Sequence, residues 1–168
     1  MAIVVLTGAS GAGKTTIAQA VRAARPDMPV LHFDSIGVPE TARMISDFGS
    51  PEAWQYAMVL EWMRRLKVLR SGASAVLFEG QARLAFLKHA AAAVGGVAYR
   101  PILVDCDDQT RRQRLRVNRN QPELATQDMM NWALYLRKEA AEYGADILDT
   151  SGMAIDASVA RVLARLDQ

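Results

Sequence analysis

Gly8-Ala9-Ser10-Gly11-Ala12-Gly13-Lys14-Thr15 stands between two unlike segments. Before it runs the apolar Ile3-Val4-Val5-Leu6; after it comes Thr16-Ile17-Ala18-Gln19-Ala20-Val21-Arg22, a stretch suited to a helix. The spacing is G-x-x-x-x-G-K-S/T between a strand and a helix, the arrangement of a phosphate-cradling loop. Polyphosphate oxygens need donors packed closely around them, and glycines let backbone N–H groups approach with no Cβ in the way. Lys14 brings a positive charge to the outer phosphates, and the Thr15 hydroxyl stands where it can ligate Mg²⁺. A helix opening near Lys14 adds its N-terminal dipole and free amides to the same anion site. Gly8, Ala9, Ser10, Gly11, Ala12, Gly13, Lys14, Thr15 and Thr16 are therefore the expected nucleotide-binding residues.

Outward from this loop, apolar runs and helical patterns alternate through the whole chain, which predicts an α/β fold with a mainly parallel sheet. Strands are expected at 3–7, 30–33, 75–79, 101–105 and 146–148, all short and bounded by turn residues. Helices are expected near 14–24, 39–46, 51–70, 82–94, 109–118, 126–143 and 154–166. Trp54, Met58, Trp62, Leu66 and Leu69 recur at helical spacing, as do Met129, Trp132, Leu136, Ala140 and Tyr143; both stripes read as core. No repeat, low-complexity tract or linker breaks the 168 residues, so 1–168 is expected to be a single domain.

Composition narrows the function classes. Hydrophobic residues make up 51% and charged residues 23%, ordinary for a globular protein, and a net charge of +2 implies neither nucleic acid nor a membrane surface. The single cysteine, Cys106, excludes an internal disulfide and suits a reducing compartment; it reads as a small core residue. The N-terminal apolar run is far shorter than a signal or membrane helix, and the uncharged stretch near 90–99 is broken by Gly95-Gly96. A cytoplasmic location with no membrane association is the expectation.

Ligands of parallel sheets bind beyond the carboxyl ends of the strands. Asp34 closes the second strand, where a carboxylate can take the proton of an attacking hydroxyl; alternatively it caps the next turn beside Ser35. In Val76-Leu77-Phe78-Glu79-Gly80-Gln81-Ala82-Arg83, an acid closing an apolar strand can hold Mg²⁺ through water, and the glycine leaves room for a ligand. The other reading of Glu79 is a cap on the following helix. Arg111, Arg112, Arg114, Arg116 and Arg119 do not form one solvated face, since Arg112, Arg116 and Arg119 share a side while Arg111 and Arg114 point elsewhere. His32 and His89 have no partner at ligand spacing, so a histidine metal site is not expected.

These stretches together make the chain resemble the P-loop small-molecule kinases that include adenylate kinase, shikimate kinase and gluconate kinase. Leu77-Phe78-Glu79-Gly80-Gln81-Ala82-Arg83 is similar to the third-strand signature apolar–apolar–D-G-F-P-R of the nucleoside monophosphate kinases, with Glu for Asp and Gln-Ala for Phe-Pro. The resemblance continues through Leu103-Val104-Asp105 into the arginine-rich 110–119 segment. It implies a P-loop NTPase fold: a mainly parallel five-stranded sheet with helices on both faces, in adenylate-kinase-like order with a short lid at about 112–128. It also implies that Arg83 binds the acceptor's anionic group or the transferring phosphoryl, and that Arg114 closes over the phosphates. A second lid arginine falls at Arg116 or Arg119, of which Arg119 is carried forward. Thr150 and Ser151, after the fifth strand, lie where the family loop meets the adenine base.

The function so implied is ATP- and Mg²⁺-dependent transfer of the γ-phosphoryl to a small-molecule acceptor, with a hydroxyl the favoured acceptor. Catalysis would rest on Lys14, Asp34, Arg83 and Arg114, and the metal on Thr15 and Glu79. Trp54, Gln55 and Arg43 are further acceptor-site candidates, although helix packing explains the tryptophan equally well. Two alternatives stay open: a kinase with a phosphate acceptor, as in the nucleotide kinases, and a nucleotide-binding ATPase or switch with little turnover. A polynucleotide acceptor has no support, because no basic stripe with interleaved aromatics occurs.

Overall fold

The computed structural model describes residues 2–69, 72 and 74–168. The strands are β1 (Ala2–Thr7), β2 (Val30–His32), β3 (Ala75–Glu79), β4 (Arg100–Asp105) and β5 (Asp146–Asp149). The helices are α1 (Lys14–Ala24), α2 (Thr41–Phe48), α3 (Pro51–Leu69), α4 (Leu84–Ala93), α5 (Asp108–Gln113), α6 (Gln127–Tyr143) and α7 (Ile155–Leu166). All strand pairs are parallel, in the order β2-β3-β1-β4-β5. This is the α/β P-loop architecture the sequence implied. The expected last residue of α3, Arg70, lies outside the described residues.

Alternation along β1 assigns its side chains to two cores. Ile3 and Val5 join Val76, Phe78 and Leu103 in a layer under α3, α4 and α6. Val4 and Leu6 join Leu77, Ile102 and Val104 in the opposite layer, under α1 and α7. β1 is thus apolar on both faces, and its carboxyl end, where the glycine loop begins, sits at the middle of the sheet.

Most element ends fall within two residues of expectation, and three departures have a local reason. Phe33 does not end β2 but opens a 3₁₀ turn over Phe33–Ile36. Its ring is buried edge-on against Trp54 at 5.9 Å and tilted on Phe78 at 6.4 Å. Ala82 and Arg83, the expected start of the fourth helix, are not helical, because Ala82 exchanges backbone hydrogen bonds with the Thr7 hydroxyl. The helix expected over 109–118 is not uniform: α5 is capped by Asp107 and gives way to a π turn over Arg114–Asn118.

Helix α4 takes its N-terminal partner from another helix. Glu139 on α6 is buried; Oε2 accepts from Leu84 N at 2.7 Å and Oε1 accepts from the Tyr135 hydroxyl at 2.7 Å. Glu139→Ala would strand that amide without an acceptor and is expected to destabilise the fold by about 1–3 kcal/mol, with Glu139→Gln losing less. Urea unfolding of the two variants against the wild type checks the order.

Candidate active site

The glycine loop turns sharply at Gly8, where φ is +148° and any Cβ would collide with the Val104 carbonyl. Gly13, at φ +102°, forms the N-cap from which α1 starts at Lys14. That places the Lys14 ammonium inside the loop, donating to the Ala9 carbonyl at 3.1 Å, and leaves Thr15 and Thr16 exposed. Burial pulls the Lys14 pKa down from 10.5 to about 8; Glu79 opposes the shift, while Arg111 and Arg119 add to it. A cavity of about 260 Å³ lined by Gly13, Lys14, Thr15, Arg114 and Arg119 opens over the loop. A second, of about 220 Å³, continues between Thr16, Asn118, Thr150, Met153 and Ile155, with apolar walls on one side.

The back of the loop is held by arginines that sequence reasoning sorted only in part. Arg111 is fully buried; it donates to Ser10 O at 2.9 Å, to Asp105 Oδ1 at 2.6 Å and to Cys106 O at 3.2 Å. Arg137 on α6 reaches the other oxygen of Asp105 and also donates to Cys106 O at 3.0 Å. The only signal in the chain was spacing: Arg111 and Leu115 are one helical turn apart, and both pack on Gly11. Asp105 and Arg137 had no such signal. Cys106 is buried, as its small size suggested, and burial pushes its thiol pKa up.

Arg114 lies between the loop and the end of β5. It donates to Gly11 O at 3.4 Å, Ala12 O at 3.3 Å, Thr150 Oγ1 at 2.8 Å and Thr150 O at 2.8 Å. Thr150 is buried and returns a hydrogen bond to Ala12 O at 2.9 Å. Ser151 is tied to Asp149 at 2.6 Å and accepts from the Asp107 amide at 2.8 Å, so its side chain shapes the loop. Arg119 lines the cavity over the glycine loop and Arg116 does not. The π turn explains this choice. Arg119 N bonds to Arg114 O at 2.9 Å, five residues back, so the extra residue of a π turn carries position 119 to where an α-helix would bring 118. Within 112–128, Arg112 donates to Ala125 O at 2.9 Å and to Gln127 at 3.1 Å, and a 3₁₀ turn spans Pro122–Leu124.

On the other side of the loop, Asp34 is exposed on its 3₁₀ turn, and Glu79 is buried at the end of β3. Glu79 does not cap α4, a position that Glu139 fills; its Oε1 instead pairs with His32 Nδ1 at 2.7 Å. His32, which has no metal-ligand partner by spacing, pairs with the candidate metal carboxylate and orients it. Arg83 pairs with Glu52 on α3 and sits over the rings of Phe86, Trp132 and Tyr135 at 5.3–5.4 Å. The stripe position Trp132 is thus only partly core. Gln55 donates to Gln81 O at 3.0 Å, Trp54 is buried in the core, and Arg43 pairs with Asp47 on its own helix at 3.2 Å.

Among the described residues no group of three or more His, Cys, Asp or Glu side chains is placed to hold a metal. The donor set does fit a nucleotide-borne Mg²⁺, which takes most of its ligands from phosphate and water and needs one hydroxyl and an outer carboxylate. Thr15 would supply the first and Glu79 the second. No helix among the described residues is long and apolar enough to cross a membrane.

Solved structures that share this fold include kinases of small molecules. A gluconokinase from Sinorhizobium meliloti aligns over 99% of this chain and 91% of its own, with a TM-score of 0.72 and 18% identity. A sugar kinase from Janibacter aligns over 99% and 95%, with a TM-score of 0.69 and 20% identity. A shikimate kinase from Acinetobacter baumannii, in complex with shikimate, aligns over 97% and 91%, with a TM-score of 0.63 and 16% identity. No family model and no curated protein sequence matches the chain. The architecture is therefore that of the P-loop small-molecule kinases.

Lys14 makes a testable statement about pH. Between about pH 8 and 10.5 the unfolded chain keeps a proton on Lys14 that the folded chain has released, so stability without nucleotide rises with pH across that window. Below about pH 8 the folded protein carries the charge against burial. Lys14→Met is expected to remove the rise and to increase the melting temperature at pH 7. The check is the difference in thermal unfolding between the two proteins from pH 7 to 10.5.

Proposed function

We propose that this protein is an ATP-dependent kinase that moves the γ-phosphoryl group to a hydroxyl of a small molecule. The observation that carries the reading is the grouping at the carboxyl ends of β1, β2 and β3: the Lys14 ammonium within the glycine loop, the Glu79 carboxylate acting on it, and the exposed Asp34 acting on it too. The amides of Gly11 to Thr16 would hold the β- and γ-phosphates, and Lys14 would neutralise charge that builds up during transfer. The Thr15 hydroxyl would ligate Mg²⁺ and Glu79, oriented by His32, would order its waters; the metal would draw charge from the transferring group. Asp34 would take the proton of the attacking hydroxyl.

Arg114 and Arg119 flank the phosphate cavity and would meet the transition-state charge from the lid side. Thr150 and Ser151 would contribute to the base site mainly through backbone. Closure of 112–128 would exclude water, which otherwise competes as acceptor. The acceptor would lie between Asp34, α3 and Arg83. A phosphate acceptor fits less well, because the Arg83 charge is already met by Glu52. The gluconokinase and the sugar kinase among the structural neighbours agree with a hydroxyl acceptor. We place the protein in the cytoplasm on the strength of its soluble-domain composition and its single buried thiol.

The test is ATP consumption across a panel of small hydroxyl compounds and nucleoside monophosphates, followed by Asp34→Asn on whichever acceptor responds. A positioned base contributes about 10²–10⁴ in rate, so Asp34→Asn is expected to lose kcat on that scale while keeping its ATP affinity. A folded Asp34→Asn protein with unchanged kcat would end the base assignment and the hydroxyl reading with it.

A further inference from the structure

We propose that Glu52 makes the acceptor site selective for hydroxyl compounds that carry no anionic group. This rests on the reading of the region between Asp34 and Arg83 as the acceptor site. Arg83 is the only cation between β3 and α4, and its guanidinium is engaged on several sides at once. Glu52 pairs with it, and Phe86, Trp132 and Tyr135 present ring faces at 5.3, 5.4 and 5.4 Å. The pair is also turned in a definite direction. The Arg83 side chain is 24% exposed and that of Glu52 is 62% exposed, so the charge offered to an incoming molecule is the carboxylate.

The neighbouring charges point the same way. Asp34 is exposed, Glu79 lies behind it against His32, and Arg43 is taken up by Asp47 within α2. The buried polar atoms left unpaired on this side are those a hydroxyl satisfies. Gln55 has its amide nitrogen on Gln81 O and its Oε1 without a donor, and the Trp132 indole N–H has no acceptor. A hydroxyl both donates and accepts, whereas a carboxylate or phosphate only accepts. An acidic acceptor would have to dislodge Glu52 from Arg83 or meet it as a like charge, a repulsive element of the kind that sets specificity. Glu52 is then the residue that turns a potential anion site into a neutral one.

The experiment compares the full chain with Glu52→Gln in two arms. In the first, phenylglyoxal labelling of Arg83 is followed by peptide mass spectrometry, alone and with gluconate or sorbitol as matched acidic and neutral hydroxyl compounds. The expected result is faster Arg83 labelling in Glu52→Gln than in the wild type, with protection by gluconate in the variant only. Protection by gluconate in the wild type, or in neither protein, overturns the proposal. In the second arm, ATP consumption is measured with paired alditols and aldonates. The ratio of neutral to acidic kcat/KM is expected to exceed one in the wild type and to fall about tenfold in Glu52→Gln. A wild-type enzyme that prefers the acid, or a ratio that the substitution leaves unchanged, overturns the proposal. If no compound of either kind supports turnover, the kinase reading fails on its own terms and the labelling arm still decides the role of Glu52.

Discussion

Asp105 allows two arginines to sit directly behind the phosphate loop. It ends β4, is almost wholly buried, and divides its two oxygens between Arg111 and Arg137. Without it the Arg111 guanidinium, with no exposure at all, would be an uncompensated charge in the core, and leaving such a partner alone costs about 3–5 kcal/mol. With it, Arg111 has donors to spare for Ser10 O, while Arg114 donates to Gly11 O and Ala12 O. The carbonyls of Ser10, Gly11 and Ala12 are thereby taken up by arginines, which fixes the loop before any anion arrives. Preorganisation of this sort is what lets a backbone site stabilise charge without rearranging first.

The same bonds reach past the loop. Arg137 belongs to α6, and the Tyr135 and Glu139 side chains of that helix lie against Arg83 and the start of α4. One helix therefore touches the back of the glycine loop and the surroundings of Arg83. Ser10 adds a shorter link, with its carbonyl on Arg111 and its hydroxyl donating to Gln81 at 3.3 Å. The glycine loop and the segment 81–83 are thus linked by two routes, both through side chains already in contact.

Much of the fold was legible because period and punctuation agree in this chain. Ile3-Val4-Val5-Leu6 is apolar at every position, which only a strand buried on both faces requires, and the glycine loop behind it says which end of the sheet matters. What could not be read was anything that depends on pairing between distant residues. The Glu52–Arg83 pair spans 31 positions, His32–Glu79 spans 47 and Leu84–Glu139 spans 55. Each is an ordinary acid and partner with no local motif, and each fixes what a recognised residue is available to do. Arg83 was visible as a cation near the site; that its charge is already met was not.

The segment 112–128 shows the same limit in a subtler form. The family resemblance leaves the second arginine ambiguous between Arg116 and Arg119, because the family spacing falls on Asn118. The π turn over Arg114–Asn118 inserts one residue into the ladder and brings Arg119 round instead. Such a turn is unfavourable in isolation and persists where surrounding contacts repay it. Here Arg114 at its start is held by three carbonyls and Thr150, and Gln121 just beyond it is held by Leu115 O at 2.8 Å. The register of this segment is therefore set by where Arg114 is anchored on the glycine loop. The place of Arg119 beside that loop follows from the anchor, and the sequence of the segment alone does not contain it.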